Sequence, residues 1–509
     1  MLKKRITSML LVVLMLFSIT ALNVRAKENV PSEEQTDDTM EAAAPENEAA
    51  ADDLVKTNHT AVIRGKSYSY TATVGKMAVT SAGEQCDVFF IAYTLDNQHD
   101  ASKRPITFAF NGGPGAASFY ANFLCMGPKR MDVDEIGHAT TLPATFIDND
   151  NSLLDLTDLV FIDAIGTGYS KAENEENFIG YDNDIRTIGD FIRLYINRNK
   201  RWSSPKYVAG ESYGTTRAVG LCQYLASTYS LGLNGLMLIS SVNDFSTLSF
   251  GTGNDLPYAS YLPTYAADAW YHGKLDDKYQ DMELSDYLDE VREFVSDDYV
   301  EALFMGRNIK QSDKDEIAND ISKYIGVDKD FVLKHNLRID LDDFLKELLA
   351  DDKLVAGRYD GRFTGPVINA SIYDGTSDPS TFDVDLPLVS AVNQFIVDEL
   401  NYQTDDPYIP LSLDVNYNWG FNTDNYYLAQ EDIIKDCMTA NSNLKIWVLC
   451  GYYDGATPFY AAEWTYNHVY MDDSRKDNLS FTYYPSGHMF YLDLPSLEQF
   501  REDAERWYQ

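Results

Sequence analysis

Short apolar runs recur along most of the chain and are separated by segments whose apolar residues have helical spacing. Residues 61–74 and 88–94 alternate or run apolar in the manner of β-strands. Similar runs occupy residues 106–110, 156–162, 207–209, 236–239, 446–450 and 481–484. Strands that alternate with helices are typical of βαβ units. The pattern therefore predicts an α/β protein with a mostly parallel central sheet.

The segment from about residue 260 to 400 has a different pattern, with amphipathic helices and acidic loops. Helical spacing is seen in two sets of apolar residues: Leu284, Tyr287, Leu288, Val291, Phe294 and Val295, then Leu341, Phe344, Leu345 and Leu348. We therefore predict a helical cap at 260–400, inserted between two parts of the α/β core at 56–259 and 401–509. Ser496 and Gln499 predict a capping box that begins a final helix.

The N-terminal 55 residues predict export rather than folding. A basic start, Lys3-Lys4-Arg5, precedes a mostly apolar stretch and small residues, which is typical of a signal peptide at 1–26. Residues 27–55 contain ten acidic residues and one lysine, so we expect a disordered tether. The mature protein is expected to be secreted, extracellular or in the cell envelope, without an integral membrane span.

The net charge and the cysteine content limit which partners, metals and cofactors we expect the protein to bind. A formal net charge of −38 repels nucleic acid and anionic membranes, so no nucleic-acid partner is expected. The five cysteines include no CxxC pair, and we predict neither a metal site nor a cofactor. The sequence leaves the disulfide status of these cysteines open.

The motif GESYG at residues 210–214 raises the possibility of a nucleophilic serine. It lies between a predicted strand and a predicted helix, which is the context that a G-x-S-x-G nucleophile turn requires. Small glycines on either side let the helix approach the strand and leave the serine hydroxyl exposed. Ser212 is therefore the candidate nucleophile, and an ordinary loop serine is the alternative.

A nucleophilic serine needs a base and an acid, which follow it in the order Ser, Asp, His in hydrolases of this architecture. Of the four downstream histidines, His488 is the one in a loop just past a predicted strand. Asp454 stands in the turn after the preceding predicted strand. We therefore predict a Ser212–His488–Asp454 triad; a structural histidine and a helix-capping aspartate are the alternatives.

Acyl transfer also requires hydrogen-bond donors for the oxyanion. One is the backbone N–H of the residue after the nucleophile, Tyr213. A second is expected in the glycine-rich loop FNGGPGAAS at 110–118, where we assign Gly113. Gly112 in this loop lets the main chain come close to substrate. As a phosphate-binding loop the segment is poor, because it lacks the GK[ST] ending and the GxGxxG spacing.

Together these stretches resemble the serine carboxypeptidase family, whose fold is the α/β-hydrolase. The matching motifs are NGGPG at 111–115, GTGYS at 166–170, GESYG at 210–214, YYDGATP at 452–458 and Gly487-His488, in the order the family has them. The resemblance implies a peptide substrate with a free C-terminal carboxylate. It also implies that Asn111 and Glu211 bind this carboxylate; a structural role for Glu211 in the turn is the alternative.

A glutamate can bind a carboxylate only when one of the two is protonated, so this role favours activity at mildly acidic pH. The resemblance is incomplete at that part of the site. The better-known family members have a Trp where this chain has Ala109, and a second Glu where it has Cys125. These departures suggest a bacterial branch with a simplified carboxylate site.

The sequence leaves three functions open. The first is a secreted serine carboxypeptidase that forms an acyl-enzyme. The second is an esterase or acyltransferase on the same fold, which the missing glutamate allows, because fold does not fix substrate. The third is a binding protein with a vestigial site.

Overall fold

An antiparallel hairpin leads into a mostly parallel sheet in the computed structural model, which describes residues 52–98, 100–366, 378–381 and 384–509. The strands are β1 Asp53–Ile63, β2 Lys66–Ser81, β3 Glu84–Leu95, β4 Ile106–Phe110, β5 Lys129–Met131, β6 Phe146–Asp148, β7 Asp158–Ile162, β8 Lys171–Ala172, β9 Lys206–Glu211, β10 Gly235–Ile239, β11 Leu354–Ala356, β12 Thr364–Pro366, β13 Lys445–Gly451 and β14 Leu479–Tyr484.

The central sheet has the strand order β1-β2-β3-β7-β4-β9-β10-β13-β14, with β8 paired to β3. The pairs from β7 to β14 are parallel, and the pairs that join β1, β2, β3 and β7 are antiparallel. Because the chain enters each parallel strand from the same side, the turns after β9, β13 and β14 all lie at one edge of the sheet. The predicted α/β class with a mostly parallel sheet is confirmed.

Helices accompany the sheet and fill the segment between β10 and β13. The α-helices are Tyr181–Arg198, Tyr213–Tyr229, Leu256–Tyr271, Asp277–Gln280, Leu284–Phe294, Val300–Met305, Gln311–Ile325, Lys329–Lys334, Leu341–Glu347, Asp385–Asp398, Leu413–Tyr417, Glu431–Ala440, Phe459–Asn467 and Leu494–Trp507. Every residue of β4, β7 and β10 is buried. Strands that are covered on both faces read as continuous apolar runs, which is why the sequence pattern revealed them.

Two details of the predicted elements differ from the structure. The apolar run at 61–74 is divided between β1 and β2 by a tight turn in which Arg64 and Gly65 have φ of 51° and 73°. The final helix begins at Leu494, and its cap is Asp493, whose side chain accepts a hydrogen bond from the Ser496 backbone N–H. The predicted capping box at Ser496 was therefore wrong, because an aspartate three residues earlier already satisfies that donor.

The N-terminal predictions fall mainly outside the described residues. These include the predicted signal peptide at 1–26 and most of the predicted tether at 27–55. The last three tether residues belong to β1, which pairs with β2 from Asp53 onward. Within the described part of 260–400 the chain forms helices and one hairpin, β11–β12. The division of the chain at residues 260 and 400 stays a prediction.

All five cysteines have free thiols and are buried. They therefore act in the structure as small apolar side chains. Among the residues that the structure describes, no helix has both the length and the apolar character needed to span a bilayer.

Candidate active site

Ser212 occupies a strained turn between β9 and the helix Tyr213–Tyr229. Its backbone angles are φ 58° and ψ −129°, a region that residues other than glycine rarely adopt. The flanking glycines are required by close packing, because a Cβ at Gly210 would lie 2.1 Å from the carbonyl oxygen of Gly214. Backbone strain of this kind is held by surrounding structure and is concentrated at functional sites. The turn leaves the Ser212 side chain partly exposed.

Asp454 lies in the turn after β13 and is fully buried. Its Oδ1 accepts hydrogen bonds from the backbone N–H groups of Ala456 and Thr457, both at 2.8 Å. Its Oδ2 accepts the Thr457 hydroxyl at 2.7 Å. Donors on both oxygens stabilise the ionised carboxylate and fix its orientation.

His488 follows β14 and contacts Asp454 directly. Its Nδ1 lies 2.9 Å from Oδ2 of Asp454, and the ring is 4% exposed. Its backbone N–H donates to the carbonyl of Tyr359 at 2.6 Å, and its carbonyl accepts the Ser240 hydroxyl at 2.6 Å. Burial lowers the pKa of His488, but the charge and hydrogen bond of Asp454 and the charge of Glu211 together raise the pKa by more, so the net value lies above the ordinary one.

Ser212 and His488 line the same cavity, which has a volume of about 410 Å³. Nδ1 of His488 is engaged by Asp454, so Nε2 is the nitrogen available to a nucleophile. Among the described residues, no hydrogen bond is formed between the Ser212 hydroxyl and this ring. The structure thus places two of the predicted triad residues, Ser212 and His488, in one cavity, with Asp454 buried behind His488 and in contact with it. Catalytic hydrogen bonds are often long before substrate binds.

The glycine-rich loop after β4 lies against the nucleophile turn. A Cβ at Gly112 would lie 2.5 Å from the backbone nitrogen of Tyr213, so only glycine permits this approach. Gly113 has φ of 101° and also lines the cavity. Neither the Gly113 N–H nor the Tyr213 N–H donates to another group in the described part of the chain. Both predicted oxyanion donors are therefore free to bind an oxygen atom.

Asn111 and Glu211 line the same cavity and are almost fully buried, at 2% and 4% exposure. The side-chain oxygen of Asn111 accepts the Ala121 N–H, whereas its amide nitrogen has no hydrogen-bond partner in the described chain. Burial raises the pKa of Glu211 to about 7, although His488, Tyr491 and Asn111 favour its ionised form. The Asn111 amide thus lies close to the Glu211 carboxyl without a well-formed bond to it.

Three side chains that support this site were not identified from the sequence. Tyr491 donates its hydroxyl to Oε2 of Glu211 at 2.6 Å, and Thr457 bridges Asp454 and His488. Arg217 donates to the carbonyl of Asn111 at 2.9 Å. The sequence carried a signal for Thr457 alone, since a threonine three residues after an aspartate in a turn can bond it.

Arg217 is itself held by a buried ion pair, in which its Nε lies 2.7 Å from Oδ2 of Asp184. Asp184 belongs to the helix Tyr181–Arg198, on which the helix after Ser212 packs. The pair therefore connects the glycine-rich loop to two helices of the core. Breaking a buried pair of this kind is strongly destabilising, because it leaves one charge uncompensated.

The sheet order, the strained serine turn and the Asp454–His488 pair define an α/β-hydrolase. The serine carboxypeptidase family model matches residues 70–485. The chain belongs to the serine carboxypeptidase family.

Individual relatives are distant. The pheromone-processing carboxypeptidase KEX1 of Yarrowia lipolytica is 27% identical over 230 residues, 43% of this chain and 33% of the relative. Serine carboxypeptidase-like 20 of Arabidopsis thaliana is 26% identical over 126 residues, 24% of each chain. The chain thus spans a third or less of the length of these curated relatives. They are fungal and plant proteins, so they give no support to a bacterial branch.

One solved structure shares the fold over most of its length. The prohormone-processing carboxypeptidase Kex1(Δ)p of Saccharomyces cerevisiae superposes with a TM-score of 0.55 and 16% identity. The match covers 86% of this chain and 91% of that one. At this identity the similarity establishes the fold and does not extend to substrate.

Proposed function

We propose that the protein is a serine carboxypeptidase that removes the C-terminal residue of peptides through an acyl-enzyme. Family membership supports the reaction class. The observation that carries the assignment is the convergence of Ser212, the Asp454–His488 pair and two unpaired backbone N–H groups on one cavity.

In the first step His488 accepts the Ser212 proton as the hydroxyl oxygen attacks the carbonyl of the last peptide bond. The Gly113 and Tyr213 N–H groups stabilise the oxyanion. The C–N bond then breaks, His488 donates its proton to the leaving amine, and an ester to Ser212 remains. Water, deprotonated by His488, hydrolyses this ester and regenerates the enzyme. Asp454 holds the imidazole in the required tautomer throughout.

The carboxylate-binding part of the proposal rests on Asn111 and Glu211. The unpaired amide N–H of Asn111 can donate to a substrate carboxylate, and a protonated Glu211 can donate a second hydrogen bond. Gly112 keeps the loop close enough for the substrate to contact its backbone. A pKa of about 7 means that Glu211 is mostly protonated below neutral pH, which allows this role in mildly acidic solution.

The cap and the export signal complete the proposal. Residues from the predicted cap, among them Arg358, Tyr359 and Asp385, line the cavity and would influence side-chain preference. Export by the predicted signal peptide would place the enzyme outside the cell or in its envelope. A bacterial branch with a simplified carboxylate site remains a proposal based on Ala109 and Cys125 alone.

The decisive experiment compares N-blocked dipeptides that have a free C-terminal carboxylate with their amides and with simple esters. A carboxypeptidase hydrolyses the free acids in preference, and Ser212→Ala loses at least about 10⁴-fold in kcat. Preference for esters would instead favour the esterase or acyltransferase that Cys125 allows. Failure of Ser212 to react with a fluorophosphonate in the folded protein would exclude both and favour a binding protein.

A further inference from the structure

The immediate environment of the Glu211 carboxyl contains one strong hydrogen-bond donor. In the described part of the chain, its well-formed hydrogen bond is from the Tyr491 hydroxyl, which donates to Oε2 at 2.6 Å, while the Asn111 amide lies nearby. No arginine or lysine pairs with this carboxyl among the described residues. Glu211 lines the cavity, whereas Tyr491 does not and is fully buried behind it.

Tyr491 is fixed in this position by its place in the chain. It lies in the turn Phe490–Leu492, three residues after His488, and its ring packs on Phe490 with centroids 5.7 Å apart. Burial, followed by the nearby charge of Glu211, raises the pKa of Tyr491 well above its ordinary value. The phenol therefore keeps its proton at neutral pH. Among the described residues its hydroxyl has no other acceptor, so it donates to Glu211 in this contact.

Cys125 is another ionisable group close to Glu211, and it stands where the family resemblance expects a second glutamate. It is fully buried in the short π-helix Ala121–Met126. Burial raises the pKa of the Cys125 thiol well above its ordinary value, and the charge of Glu211 raises this pKa further. A neutral thiol is a weak donor, so Cys125 cannot share a proton with Glu211 as a second carboxyl would.

We propose that Tyr491 is a positioning residue for recognition of the substrate carboxylate. Its hydroxyl occupies Oε2 of Glu211, so the proton of the neutral carboxyl resides on Oε1, from which it can be donated to the substrate. The second glutamate that the family resemblance expects is replaced by Cys125 in this chain. Tyr491, in the loop after His488, thus supplies the hydrogen bond to Glu211 that this glutamate would have supplied. This inference rests on the proposed carboxypeptidase function and concerns the same site.

One consequence concerns the pH dependence of binding, because two carboxyls that line the cavity have raised pKa values, Glu211 at about 7 and Asp385 at about 6, both through burial. The titratable groups that face Glu211 are His488, Asp454, Tyr491, Cys125 and Tyr120. The two phenols and the thiol stay neutral, and Asp454 is engaged by its own donors. Affinity for a free C-terminal carboxylate should therefore fall as Glu211 ionises, and the ionisation of Asp385 and of His488 should change the shape of this curve.

The test measures binding rather than turnover, in a Ser212→Ala background that retains the whole chain. N-Benzyloxycarbonyl-Phe-Leu and its C-terminal amide are titrated by calorimetry from about pH 5 to about pH 8, across the range in which a carboxyl with a raised pKa ionises. Tyr491→Phe removes the donor. Tyr484→Phe is the matched control, because its buried hydroxyl has no partner in the described chain and its ring stacks on the same Phe490 at 4.0 Å.

At about pH 5, Tyr491→Phe is expected to bind the free acid about tenfold more weakly, which is the size of one hydrogen bond to a charged group. Its affinity for the amide should not change, and Tyr484→Phe should match the parent for both ligands. The affinity of the parent for the acid should fall above about pH 7. In Tyr491→Phe this fall should move to higher pH, because the ionised form of Glu211 loses a donor.

Three results would overturn the inference. Tyr491→Phe could behave like Tyr484→Phe, it could weaken the amide as much as the acid, or the parent could fail to prefer the acid at any pH. Equal melting temperatures of the two variants exclude a general loss of folding. Hydrolysis by the protein with Ser212 intact is assayed separately, so failure of the proposed reaction is distinguishable from failure of this binding prediction.

Discussion

Two buried carboxyl groups follow parallel strands at the same edge of the sheet, yet their environments differ. Asp454, after β13, accepts two backbone N–H groups and the Thr457 hydroxyl, and it contacts His488. Glu211, the last residue of β9, accepts one well-formed hydrogen bond in the described chain, from the Tyr491 hydroxyl. Both are nearly inaccessible, at 0% and 4% exposure.

The difference shows that the number and type of donors, rather than burial, decide which role a carboxyl can have. Backbone donors on both oxygens offset the cost of burying the charge of Asp454, so this group can orient and stabilise a protonated imidazole. The Tyr491 phenol, the Asn111 amide and the charge of His488 do not offset that cost, and burial raises the pKa of Glu211 to about 7. One site can thus contain a carboxyl that is held by several donors and contacts the imidazole, and a second carboxyl whose raised pKa lets it carry a proton.

The largest expected effect is that of Asp454→Asn. The amide keeps the shape of the side chain but removes the charge that stabilises the imidazolium and selects its tautomer. We expect kcat to fall by about 10³- to 10⁴-fold with little change in KM. Steady-state kinetics on an N-blocked dipeptide would measure both constants.

Asp163→Asn is the matched control for this change. Asp163 also follows a strand, β7, and is buried, but it does not line the cavity. Its donors are the Ser118 N–H at 2.7 Å and the Tyr408 hydroxyl at 3.3 Å. Its kinetics should match the parent. Equal losses in the two variants would mean that the effect arises from general destabilisation rather than from the imidazole.

A smaller effect, with a distinctive pH dependence, is expected for Glu211→Gln. The pKa of Glu211, raised to about 7, means that the proton needed for carboxylate binding is present below this pH and lost above it. The KM of the parent for a free acid should therefore rise about tenfold per pH unit on the alkaline side. Glutamine keeps an N–H at every pH, so this rise should disappear.

The same substitution should also change the acidic side of the profile. The charge of Glu211 contributes to the raised pKa of His488, so its removal should move the acidic limb of kcat/KM to lower pH. A pH series with a free acid and its amide would test both limbs. If the alkaline rise in KM persists in Glu211→Gln, a group other than Glu211 controls carboxylate binding. The proposed difference in role between Glu211 and Asp454 would then be wrong.

The sequence predicted the strand-end residues of the site because each motif is local. Ser212 lies between two glycines, and Asp454 and His488 each follow an apolar run, so chain order and the edge rule for parallel strands place them together. Tyr491 could not be assigned in this way. Its hydroxyl reaches Glu211 across 280 positions of the chain, and the direction of that side chain depends on packing around Phe490.

The fold was predictable for a similar reason, and its inaccuracies have local causes. The parallel strands are buried on both faces and therefore read as apolar runs, whereas in the hairpin β1–β2 buried apolar residues alternate with more exposed polar ones over much of its length. Its turn at Arg64–Gly65 interrupts an alternation that continues on both sides. Hydrophobic pattern alone does not reveal such a reversal, because alternation with period two is the same in both strands.

The smallest expected effect is that of Thr457→Val, which tests whether the third donor to Asp454 matters. The lost hydroxyl donates to Oδ2 of Asp454 at 2.7 Å and lies 3.1 Å from Nδ1 of His488, while the Thr457 backbone N–H remains a donor. One hydrogen bond to a charged group is worth about 1.5–3 kcal/mol at most, and the backbone donors remain, so kcat should fall about three- to tenfold. Thr465→Val is the control, since its buried hydroxyl donates to the Ala461 carbonyl away from the site. If the two valine variants have equal kcat, the two backbone donors and His488 are sufficient to hold Asp454 in place. The Thr457 hydroxyl would then not account for the difference in environment between Asp454 and Glu211.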